Sequence, residues 1–104
     1  MKIDQALTSF SALSQETRLR VFKLLIEYGD DGAAAGVLSE ALDIPHNTLS
    51  FHLSHLGQAG LVSSRKAGRQ MIYTANRETI TDLINYLKEN CCVRDTSKNK
   101  KAGC

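Results

Sequence analysis

The chain has 104 residues, of which 42% are hydrophobic, and a formal net charge of +2. That length accommodates one hydrophobic core and no second one, and the apolar fraction argues against wholesale disorder. No apolar run approaches the ~20 residues that cross a bilayer, and MKIDQALTSF at the start has no signal-like apolar stretch, so a cytoplasmic protein without a membrane partner is expected.

The first predicted element runs from about Ile3 to Leu13, with Ile3, Ala6, Leu7, Phe10 and Leu13 on one helical face. Ser14 then reads as the N-cap of a second helix reaching about Tyr28, striped by Leu19, Phe22, Leu25 and Ile26. Gly29 is suited to end it in a left-handed conformation, and Asp30-Asp31-Gly32 reads as a turn. A third helix is expected over about Ala34 to Leu42, broken by Asp43-Ile44-Pro45. A fourth follows from His46 or Asn47 to Ala59, its Leu49, Leu53 and Leu56 at helical spacing, with Asn47 as a candidate cap. These two segments, joined by a tight turn, have the spacing of a helix-turn-helix.

Leu61–Ser64 and Gln70–Thr74 alternate as short strands around Arg65-Lys66-Ala67-Gly68-Arg69, which predicts a hairpin. A last helix from about Arg77 to Asn90 carries Ile80, Leu83, Ile84 and Leu87. The expected fold is therefore mostly α with a small β-hairpin: a winged helix-turn-helix flanked by N- and C-terminal helices. Those outer helices have apolar stripes and few places to bury them within one subunit, so they are candidates for dimerisation. Residues 1–90 form the expected DNA-binding and dimerisation domain, and 91–104 a polar, cysteine-bearing tail that should be mobile without a ligand.

Charge is unevenly spread. Between Ile44 and Arg77 there is no Asp or Glu, while Arg65, Lys66, Arg69 and Arg77 are cationic. Such polarity fits a face that meets a polyanion.

The stretch from Ala12 to Leu25, ALSQETRLRVFKLL, resembles the second-helix signature of the ArsR/SmtB family of metal-responsive repressors. VLSEALDIPHNTLSFHLSHLGQAGLV resembles that family's helix-turn-helix, with its S-x-H-L core at Ser50–Leu53 and its A-G-L-V exit at Ala59–Val62. The wing from Ser64 to Tyr73 is similar as well. The resemblance implies a homodimer that binds double-stranded operator DNA, and no catalytic activity. Two departures matter. The third helix has no cysteine pair at Gly36-Val37-Leu38-Ser39, and Asp82, Tyr86 and Glu89 do not form the His and acidic set that other members carry on the last helix.

With its leucines inward, the fourth helix should present His46, Asn47, Thr48, Ser50, Phe51 and Ser54 to the major groove. Asn47 suits an adenine edge and Phe51 a thymine methyl, while Thr48 and Ser50 serve bases or phosphate. Arg65, Lys66 and Arg69 at the wing suit the backbone or the minor groove. His52 and His55 read as packing or phosphate contacts. A dimer implies an inverted-repeat operator with half-sites about 34 Å apart.

All three cysteines lie at the end: Cys91, Cys92 and Cys104. Their neighbours are polar, so core burial explains them poorly. Three thiolates without a nearby histidine form a soft three-donor set, one short of tetrahedral zinc and suited to pyramidal As(III) or Sb(III). Adjacent helical residues point about 100° apart, so chelation by Cys91-Cys92 requires the helix to end there. The vicinal pair is similar to that of an arsenic-responsive ArsR subgroup, which implies As(III) as the inducer and no catalytic cofactor. Cadmium, lead, mercury or thiol oxidation on the same sulfurs stay open as alternative signals. A thiol enzyme would need a Gly-rich anion loop around the cysteines, and the sequence has none there.

Overall fold

The structure, a computed structural model, describes residues 1–97. Among them, helices α1 (Ile3–Leu13) and α2 (Glu16–Tyr28) lead through a 3₁₀ turn (Gly29–Asp31) into strand β1 (Ala33–Ala34). Helices α3 (Ala35–Leu42) and α4 (His46–Gln58), strands β2 (Val62–Ala67) and β3 (Gln70–Ala75) and helix α5 (Arg77–Lys88) follow. The winged-helix order is as expected.

Helix α1 begins with Gln5 accepting from the Lys2 amide at 2.8 Å. It turns Ala6, Ser9 and Ala12 inward and leaves Ile3, Leu7 and Phe10 outside. The expected stripe is thus divided: small residues let α1 lie close against α2, α4 and α5, and the large ones face away. Ser14 is not the cap of α2. Its amide and hydroxyl are both taken up at the end of α1, by the carbonyls of Phe10 and Ser11. Gln15 caps instead, accepting from the Arg18 amide at 2.8 Å. Arg18 closes the corner, its Nε donating to the Ala12 carbonyl at 2.7 Å.

The core joins Val21, Phe22 and Leu25 of α2 to Leu38 of α3, Leu49, Leu53 and Leu56 of α4, and Leu61 and Val62 at the start of the wing. Each such leucine contributes about 1.5–3 kcal/mol by leaving water. Between α3 and α4 the chain stops earlier than Pro45. Asp43 adopts the left-handed conformation (φ 53°), and the Ile44 amide donates back to the Ser39 carbonyl at 3.0 Å. Helix α4 starts at His46 behind Pro45, so Asn47 lies inside its first turn and is not the cap.

The sheet is antiparallel in the order β1-β3-β2. The wing strands extend further than expected, so Arg65 and Lys66 are paired in β2 against Ile72 and Met71. Only Gly68 and Arg69 form the tip, with Gly68 at φ 63°, the place where tight hairpin turns require glycine. Strand β1 is an addition to the expected hairpin, pairing Ala33 with Tyr73 and Ala34 with Ile72. Gly32 makes that approach possible: a Cβ there would stand 2.3 Å from the Tyr73 carbonyl oxygen.

Candidate nucleic-acid interface and thiol pair

Helix α4 buries Leu49, His52, Leu53 and Leu56 and turns His46, Asn47, Thr48, Ser50, Phe51 and Ser54 to the exposed side. The six expected base- or phosphate-facing residues therefore share one exposed helical face. Asn47 accepts from the Thr48 amide through its Oδ1 at 2.9 Å. His46 leans toward α3, within 3.7 Å of where a Cβ on Gly36 would sit. Phe51 is 66% exposed at the middle of this face. It is braced edge-on by His52 and His55, with centroids 5.6 and 6.3 Å away.

The three wing cations are not equivalent. Lys66 and Arg69 are exposed toward the tip. Arg65 is drawn back, its guanidinium donating to the Asp31 carbonyl at 3.0 Å and the Asp30 carbonyl at 3.5 Å. Asp30 also pairs with Arg77 at 2.6 Å, so the 3₁₀ turn ties the wing base to the start of α5.

His52 is 9% exposed, and its Nδ1 has no hydrogen-bond partner among the described residues. Burial lowers its pKa below the usual 6.5, and the Arg18 and His55 charges push the same way. It is a packed imidazole whose burial disfavours the charged form, as the packing alternative expected.

Helix α5 ends at Lys88, earlier than Asn90, and the chain then coils through successive turns, with positive φ at Asn90 and Cys92. Cys91 is exposed and Cys92 half-buried. Because the helix has ended, the two sulfurs converge to 3.1 Å. Cys91 is a thiol and Cys92 is disulfide-bonded, so both sulfurs become available to one soft ion only after reduction. Cys104 lies outside the described residues, and among the described residues no group of three or more His, Cys, Asp or Glu stands ready to hold a metal.

Sequence reasoning missed the Arg65 tether and a knot where Asn76 and Thr79 meet Gly60. Gly60 lies 16 residues from Asn76 and 19 from Thr79 in sequence, a separation that local patterns do not carry.

No helix among the described residues is long and apolar enough to cross a membrane. Residues 13–65, just over half the chain, match the family model described as a helix-turn-helix domain. The chain is 33% identical to the transcriptional repressor SdpR of Bacillus subtilis over 75% of its own length and 83% of that protein's. It is 29% identical to the arsenical resistance operon repressor of the same organism, over 81% of this chain and 76% of the relative. An ArsR-like transcriptional regulator from Rhodococcus sp. RHA1 superposes with a TM-score of 0.78 at 28% identity, covering 89% of this chain and 85% of that one. With the winged-helix order and the exposed face of α4, these likenesses settle the class: the chain belongs to the ArsR family of winged-helix transcriptional regulators, which are DNA-binding proteins and not enzymes.

Proposed function

We propose that the protein is an As(III)- or Sb(III)-responsive repressor, a cytoplasmic homodimer that holds an inverted-repeat operator and releases it when the metalloid is captured by Cys91, Cys92 and Cys104. The observation that carries this reading is the 3.1 Å approach of the Cys91 and Cys92 sulfurs beyond the end of α5, a pair that takes up the metalloid once the Cys92 disulfide is reduced. Its electronic counterpart is the donor set: thiolates select soft ions, and three without a fourth ligand favour a pyramidal centre. The likeness to an arsenical resistance repressor supports the same inducer.

In this reading residues 1–90 bind DNA and dimerise, and 91–104 sense. Ile3, Leu7 and Phe10 on α1 with Ile84 and Leu87 on α5 are large, exposed and apolar, the composition of an interface between copies. The dimer sets the spacing of two α4 helices. Their His46, Asn47, Thr48, Ser50, Phe51 and Ser54 read or brace each half-site, and Lys66 and Arg69 grip the backbone nearby while Arg65 anchors the wing base. Metalloid capture reorganises the end of α5 and favours a dimer of lower operator affinity. Linkage then requires DNA to weaken metalloid binding by the same factor.

The test is fluorescence anisotropy of reduced protein on an operator duplex titrated with arsenite, repeated with Cys104→Ser. Release by arsenite from the wild type and a weaker response from the variant support the three-sulfur sensor. A complex that ignores arsenite but dissolves with diamide or peroxide reassigns the sulfurs to thiol oxidation. Release by cadmium, lead or mercury alone reassigns them to a soft divalent ion.

A further inference from the structure

Between the sulfurs and the recognition helix lies one compact junction. Asn76 occupies the N-cap of α5, where a side-chain oxygen would ordinarily turn in to satisfy a first-turn amide, yet no such bond forms. Instead its Nδ2 donates to the Gly60 carbonyl at 2.8 Å, its Oδ1 accepts from the Ser63 hydroxyl at 2.8 Å, and its amide donates to the Leu61 carbonyl at 2.8 Å. The Thr79 hydroxyl, one turn on, donates to the same Gly60 carbonyl at 2.9 Å. Both acceptor sites of that carbonyl are therefore filled by the first turn of α5.

Gly60 closes the recognition helix, two residues beyond Gln58, at φ 77°. Leu61 follows, fully buried in the core. The knot therefore grips the exit of α4, the anchor of the core and the entry to the wing together. From it α5 runs as a rod of about 18 Å, at 1.5 Å per residue, to the turns that hold Cys91 and Cys92. A capping residue whose side chain gives up its local bond for two tertiary ones, beside a third from its amide, is better explained by orientation than by helix initiation.

We infer that Asn76 and Thr79 are the positioning residues that fix the recognition helix and wing to the orientation of α5, and so convey the state of its far end to the DNA-binding face. The inducer part of this inference rests on the function proposed above. The orienting part does not.

The experiment uses the full chain as Asn76→Asp, which keeps the acceptor and loses the Gly60 donor, and as Thr79→Val, which removes the hydroxyl at constant shape. Thr79→Ser serves as the conservative rescue. Each is measured by anisotropy on a duplex selected by the wild type from random sequence and on an unrelated duplex, with and without arsenite. Arsenite binding is followed separately by sulfur–arsenic absorbance, and folding by thermal denaturation. The expected result is a roughly tenfold loss of preference for the selected duplex and at least a fivefold smaller release by arsenite, at unchanged arsenite affinity, with Thr79→Ser near wild type. A merely structural role would lower melting temperature and weaken both duplexes alike, and that result overturns the inference. So does a wild-type release ratio in both variants. Should the wild type itself ignore arsenite, the inducer reading fails, and the positioning role is decided by duplex preference alone: loss supports it, retention overturns it.

Discussion

Helix α4 and the pair formed by α1 and α5 carry apolar residues at the same helical spacing, and the fold treats them oppositely. Leu49, Leu53 and Leu56 of α4 are at most 2% exposed, whereas Leu7 and Leu87 are each 61% exposed. Periodicity thus reports that a face avoids water, without naming what covers it. Inside the subunit α4 is covered by α2 and α3. The outer faces of α1 and α5 have no such cover among the described residues, which is why a second copy is proposed for them.

Two changes separate the cases, the larger at the inner face. Leu56→Ala opens a cavity in a packed core and should cost about 2–5 kcal/mol in urea denaturation. A loss below ~1 kcal/mol would place Leu56 outside the cooperative core. At the outer face, Leu7→Asp combined with Leu87→Asp should leave folded monomers, seen as a halved mass in sedimentation equilibrium. Operator affinity should then fall on the order of 100-fold, because two half-sites are no longer gripped together. An unchanged mass removes these helices from the interface.

The same comparison shows what the sequence could disclose. Helices α1 and α2 and the α3–α4 pair were legible because leucine periodicity and Gly29 mark them. The division of α1 into an inward Ala6-Ser9-Ala12 face and an outward Ile3-Leu7-Phe10 face was not. It depends on how closely α1 approaches its neighbours, a property of packing and not of period. Strand β1 is two residues long, too short for any alternation to register. Among the site residues, the exposed face of α4 follows from the burial of its leucines. The retreat of Arg65 onto the Asp30 and Asp31 carbonyls depends on a contact 34 residues away in sequence, which local patterns do not carry.

That retreat gives a smaller test. Lys66→Ala and Arg69→Ala should each flatten the dependence of log affinity on log salt by about 0.9 per lost phosphate contact. Arg65→Ala should change the slope less, since its guanidinium is already engaged within the protein. Equal slopes for all three would mean that Arg65 swings free to reach DNA.

The smallest expected effect is a pH dependence from the buried side of α4 itself. His52 is packed with its pKa lowered, first by burial and then by the facing charges of Arg18 from α2 and His55 from α4. The folded state therefore favours the neutral ring, while the unfolded chain takes up its proton near 6.5. Stability from this group is complete above that pH, and declines as pH falls from 6.5 towards the lowered folded value. Below the folded value it declines no further. Replacing the ring by an apolar side chain also removes the Nδ1 that lacks a partner among the described residues. His52→Leu should accordingly melt at a temperature that varies less than the wild type's between ~pH 7.5 and ~pH 5. If His52→Leu keeps the wild-type pH profile, proton uptake in this range does not belong to the buried imidazole, which is then held by packing without penalty.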